Sequence, residues 1–191
     1  MGICINFEGR LDAPDQMGAF VAYLREEARR LGWRPETVRM AISGVTPLES
    51  GELRLIEELV RGVVMFPPGT ESLSLQCDRS GRLVHYLEIP PDLLDSSAPS
   101  SERYFLEMPN WVKTTGAVES HIAIVDLLRR VKTNFVHNLA VDDDTGYWES
   151  SDLTDLRFSH HMMSSAIAAM KGPEPLRLAI AAGAKIGRLV Q

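Results

Sequence analysis

Apolar positions recur along this chain with two periods, one near 2 and one near 3.6, and the alternation between them outlines its elements. Residues 3–9, from Ile3 to Gly9, read as a strand that begins the fold. Met17, Phe20, Val21, Leu24, Ala28 and Leu31 then fall on one stripe of a helix, with Arg25, Glu26, Arg29 and Arg30 mostly off it. Asp12 is placed to cap that helix, Pro14 lies in its first turn, and Gly32 suits its C-terminal end.

Beyond it, Val38, Met40 and Ile42 alternate with Arg39 and Ala41, which predicts a strand over 36–42. Residues 43–51 hold Gly44, Pro47 and Gly51 and read as a loop. Residues 52–61 satisfy both periods: Leu53, Ile56, Leu59 and Val60 fit a helix, while Leu53 and Leu55 fit an extended segment. A short apolar strand over 62–66 stops at Pro67-Pro68-Gly69. Residues 72–78 alternate, Arg79-Ser80-Gly81 turns, and 82–89 alternate back, which predicts a hairpin. Leu83, His85 and Leu87 share one side of the return strand, Val84, Tyr86 and Glu88 the other, and the period does not choose between them.

Prolines and serines dominate residues 90–102, a loop or soft boundary. Residues 103–108 read as a strand. A second helix spans 116–135, with a wide apolar face that includes Val118, Ile122, Val125, Leu128 and Val131. Leu139 to Val141 resembles a short strand, and 142–146 a turn. Asp152 caps a third helix, with Leu153, Leu156, His160, Met163, Ile167 and Met170 on its stripe, ended by Lys171-Gly172-Pro173. The tail 174–190 carries a weaker helical pattern, interrupted by Gly183 and Gly187.

These elements predict a single α+β domain over 1–191, with a soft internal boundary near 90–102. Its expected form is one mostly antiparallel sheet of about six or seven strands under two or three amphipathic helices. The order β-α-β occurs over 3–42 and again over 103–141, an arrangement open to two similar halves.

Composition narrows the class. With 45% apolar and 24% charged residues the chain has an ordinary globular balance. The net charge of -6 argues against non-specific nucleic-acid binding, which runs on cations facing phosphates. The densest basic cluster, Arg129, Arg130 and Lys132, reads as a solvated helix end. Cys4 and Cys77 form no CxxC pair and read as reduced, buried thiols. With no run approaching the roughly 20 apolar residues of a membrane span, a cytoplasmic location is expected.

The chemistry-bearing residues are sparse. His121 falls on the apolar side of the second helix and His160 on the stripe of the third. If those helices meet, His121, His160 and Glu149, with Asp142 or Asp144, would supply metal ligands or an acid/base group. The run Asp142-Asp143-Asp144 would suit a hard cation, but Gly146 breaks the EF-hand spacing, and a solvated acidic turn is the plainer reading. No GxSxG, GxGxxG or P-loop pattern occurs, so neither a cofactor nor a nucleophile is indicated. The turn Lys113-Thr114-Thr115-Gly116 reads as ordinary helix capping. Trp111, Tyr147 and Trp148 lie at element ends and are candidate interface anchors. The expectation is a non-enzymatic binding or interaction protein of bacterial cytoplasmic type, acting on a protein partner such as a basic target or on a second copy of itself. The alternative is a small metal-dependent hydrolase built on His121, His160 and nearby carboxylates.

Overall fold

The computed structural model describes residues 2–47, 53–90, 104–116 and 118–170. Except for Pro90, the boundary expected near 90–102 lies outside the described residues, as does the tail 174–190. The described elements are β1 (Ile3–Glu8), a 3₁₀ turn (Pro14–Gln16), α1 (Met17–Arg30), β2 (Arg34–Pro47), β3 (Leu53–Phe66), β4 (Leu73–Cys77), β5 (His85–Ile89), β6 (Tyr104–Met108), β7 (Asn110–Thr114), α2 (Val118–Asn134), β8 (Ala140–Asp143), α3 (Tyr147–Ser150) and α4 (Leu153–Met170). The α+β class stands, but the single sheet does not: the eight strands form a three-stranded sheet, β7-β1-β8, and a five-stranded one, β4-β3-β2-β6-β5.

β1 runs antiparallel to both of its neighbours, so β7 and β8 lie parallel on either side of it. With α2 between them in sequence, they form a β-α-β unit split by an inserted strand. The expected first half is different. β1 and β2 belong to different sheets, so 3–42 is no β-α-β unit and the two halves are not alike.

The long hairpin β2–β3 explains why one sheet became two cores. Its register pairs Arg34 with Phe66 at one end and Pro47 with Leu53 at the other. In β3, Ile56 and Val60 are buried near the far end, whereas Val63 and Met65 are buried near the other. Residues 60 and 63 point to opposite faces of a strand. The hairpin therefore buries one face along half its length and the opposite face along the rest. Val63 and Met65 join Phe20, Leu24 and Ala28 of α1 and the α2 residues Ile124, Leu128 and Val131 in the main core. Ile42, Ile56 and Val60 join Val84 and Phe105 in a second, smaller one. In the segment 82–89 both faces contribute: Val84 is buried and Tyr86 half-buried against the small core, Leu83 is buried in the main core, and Leu87 faces outward.

Three local expectations change. Residues 43–47, read as a loop, continue β2, and 53–61 are strand. The hairpin 72–89 closes only at its base, where Cys77 bridges Leu83; β4 then pairs with β3 and β5 with β6. Asp12 does not cap α1. Its carboxylate instead accepts from the backbone N–H and the ring of His137, which holds it below the usual carboxylate range. Gly32, with φ of 72°, ends α1 as expected. Asp152 caps α4 through the N–H groups of Thr154 and Asp155.

The two sheets are stitched together twice. Glu71 N–H donates to the Lys113 carbonyl and Thr115 N–H to that of Gly69. On the other side of the junction, Leu11 N–H donates to the Gly81 carbonyl and Leu83 N–H to that of Gly9. Among the described residues no helix is long and apolar enough to cross a membrane.

Candidate functional site

His121 and His160 do meet. Their rings lie 5.5 Å apart between centroids, edge to face, beneath α4. The carboxylate bonded to this pair, through His121, is Asp143, not Glu149, Asp142 or Asp144. His121 Nε2 lies 3.1 Å from Asp143 Oδ2 and Nδ1 lies 3.2 Å from Thr114 Oγ1. A carboxylate only accepts, so Nε2 carries a hydrogen. The Thr114 hydroxyl also faces the Ile3 carbonyl at 3.3 Å. Whichever partner takes its proton, both ring nitrogens of His121 are spent inside the fold.

Asp143 is the hub of the cluster. Beyond His121 it accepts from the backbone N–H and hydroxyl of Thr145 and from Trp148 N–H. Burial alone would raise its pKa, but the His121 hydrogen bond and the Thr145 donors outweigh that and hold it below the usual range. His121 is 0% and Asp143 6% exposed, so this hydroxyl–imidazole–carboxylate chain is sealed from solvent. His160 is also buried. Desolvation, with His121 beside it, pushes its pKa down.

The remaining candidates disperse. Glu149 is exposed. Asp144 accepts from Cys4 N–H at 2.9 Å, which clips β8 onto the start of β1. Asp142 is exposed on the opposite side of the sheet from Asp143. Among the described residues no three His, Cys, Asp or Glu side chains group so as to hold a metal ion. Both cysteines are free; Cys77 is buried, and its thiol is pushed up to about 12 by desolvation and by Asp78, whereas Cys4 is only half-buried.

The basic cluster is not a bare solvated helix end. Arg129 donates to the Tyr147 and Trp148 carbonyls and to Ser151 Oγ. Lys132 donates to the Leu139 carbonyl, and Arg130 pairs with Glu27 of α1. Nor do Thr114 and Thr115 spend their hydroxyls on capping: Thr114 faces His121, and Thr115 donates to the Gly69 carbonyl. Tyr147 is buried, and Trp148 lies half-buried under Arg129 and Lys132.

Trp111 has a different setting. Direct cross-strand partners share a face. Asn6 of β1 pairs with Trp111 of β7 on one side and with Asp142 of β8 on the other. The three side chains therefore form a row on the sheet face turned away from α2. Trp111 is half-buried, Asp142 is exposed, and Lys113 lies over the indole at 5.1 Å. Beside this row an open cleft of about 890 Å³ runs between the end of β1, the start of β7, β8 and residues 82–83. Sequence reasoning missed this cleft because β7 itself was not foreseen. The signal was there in the alternation of Trp111 and Lys113 with Val112 and Thr114.

No family model, no curated protein and no solved structure matches the chain.

Proposed function

We propose that this chain is a non-enzymatic binding protein for a basic polypeptide, with the outer face of the β7-β1-β8 sheet as its contact surface. The observation that carries the reading is the Trp111–Asn6–Asp142 row beside an open cleft. A half-buried tryptophan is a favourable anchor, because it offers a large rigid area together with an N–H donor. Glu8 and Asp142 supply exposed negative charge on the same surface, in keeping with the net charge of -6. Lys113, the cation beside the indole, is partly matched by Glu71 at 3.8 Å.

The metal-dependent hydrolase alternative has less support. His121 would have to give up Thr114 or Asp143 to bind a metal or take a proton from a substrate.

A titration of a lysine- and arginine-rich peptide, followed by calorimetry, tests the proposal. Trp111→Ala is expected to weaken binding by roughly tenfold, the loss typical of an aromatic anchor. Trp148→Ala, altered on the other face of the sheet, should leave it unchanged. Affinity that is the same in both variants, or that does not fall as salt is raised, would reject this surface.

A further inference from the structure

We propose that α4 is an acid-released latch: a proton taken up by His160 lifts this helix off α2 and uncovers the buried His121–Asp143 pair, while the rest of the fold stays closed. The device lies on the α2 side of the β7-β1-β8 sheet, away from Trp111, and does not depend on the binding reading above.

The seat of α4 is narrow. Among its described side chains only Leu156 and His160 are buried, with Ser159, Met163 and Ile167 half-buried. Phe158 and Met162 lie in solvent. The helix packs on α2 and α3, and Leu156 is the one α4 residue among the buried residues of the main core. Segments held by few buried side chains occupy the low end of the local stability range, so α4 can open without the sheets.

His160 is the polar half of that seat. It is 7% exposed, and its Nε2 is buried without a hydrogen-bond partner. A neutral imidazole donates from one nitrogen, whereas an imidazolium donates from both. The cluster has no acceptor to spare for the second N–H. Asp143 already accepts from four donors, and both ring nitrogens of His121 are committed to Asp143 and Thr114.

The titratable groups that face His160 are His121 and the exposed Glu119 of α2 and Asp143 of β8, and Tyr147 of α3 stands against the His121 ring. A backbone hydrogen bond at Gly116, Asp143 and Glu119 favour the charged ring. Desolvation, and after it His121, outweigh them and hold the pKa of His160 below the ordinary 6.5. Opening α4 returns the ring to water, where both N–H groups find acceptors. The seat therefore has its full strength above the ordinary value and loses it as pH falls from there through the lowered folded value. Asp143, held below the usual carboxylate range, titrates at lower pH than this window.

The test is amide hydrogen exchange of the whole chain at about pH 7.5 and about pH 5.5, expressed as protection factors so that the intrinsic pH dependence of exchange drops out. Protection of the α4 amides is expected to fall roughly fivefold at the lower pH, while that of α1 stays unchanged. His160→Leu, which removes the titrating ring and keeps an apolar side chain in the seat, should abolish the fall. His85→Gln, altered at another histidine held down by burial, should retain it. Should His160→Leu fail to fold, the histidine ring signals of the unaltered protein decide: a His160 ring that charges as α4 opens supports the latch, and a charged ring beneath a still-protected α4 overturns it. Unchanged α4 protection, an equal fall in α1, or a fall that persists in His160→Leu would also overturn it.

Discussion

Asp143→Ala is expected to destabilise the protein by about 3–5 kcal/mol, the cost of stranding buried partners when one member of a buried pair is removed. Four donors lose their acceptor at once: His121 Nε2, the N–H and hydroxyl of Thr145, and Trp148 N–H. They belong to α2, to the turn after β8 and to α3, so the loss loosens the seat of α4 as well. For a chain of this length the melting temperature should fall by about 10 °C. Asp142→Ala, the adjacent and exposed position, should stay within about 0.5 kcal/mol. Equal unfolding midpoints for the two variants in urea would refute the hub role of Asp143.

The same carboxylate links stability to pH. Its folded pKa lies below the ordinary aspartate value. Its contribution is therefore complete above the ordinary carboxylate range near 3.9 and is lost as pH falls from there through the lowered folded value. In Asp143→Ala that part of the acid sensitivity should vanish.

Gly62→Ala is the second large effect, expected at about 3 kcal/mol or more, at the upper end of overpacking costs. Gly62 sits in β3 opposite Gln76 of β4, where a Cβ would lie 2.2 Å from the Leu75 carbonyl oxygen and 2.5 Å from Gln76 Cα. Both obstacles are backbone, so the β3–β4 ladder would have to part. Gly62 also lies at the point where β3 changes its buried face, between Val60 and Val63. Circular dichroism with chemical denaturation measures the loss. A variant as stable as the parent would contradict the close approach of the two strands.

That change of face also explains why part of the fold could not be read from the chain. A period-2 signal requires one face to stay buried. In β3 the apolar positions run Ile56 and Val60, then Val63 and Met65, and the parity break imitates helical spacing. The segment 52–61 was ambiguous for this physical reason. Helices α1 and α4 were legible because a single stripe and clear end signals, Gly32 and Asp152, agree. β7 was not legible. At five residues, directly before a helix, its first half fell between assigned elements and Lys113 and Thr114 read as the turn that caps that helix.

The candidate site was half legible for a similar reason. Helical spacing put His121 and His160 on apolar faces, and packing the helices brought their rings together. Which carboxylate would join them depended on strand parity in β8. Asp143 faces α2, and Asp142 faces away. Three consecutive aspartates look alike in sequence, yet one holds the interior, one clips β1 and one faces the cleft. Tyr147 and Trp148 look like interface anchors beside Trp111, but they fold inward under Arg129.

The most direct test of the outer-face account is backbone and side-chain NMR mapping during titration with an arginine-containing basic peptide. Shifts are expected to concentrate on Asn6, Glu8, Trp111 and Asp142 while the His121 and His160 ring signals stay in place. Shifts centred on His121 and His160, with the Trp111 row unmoved, would contradict it.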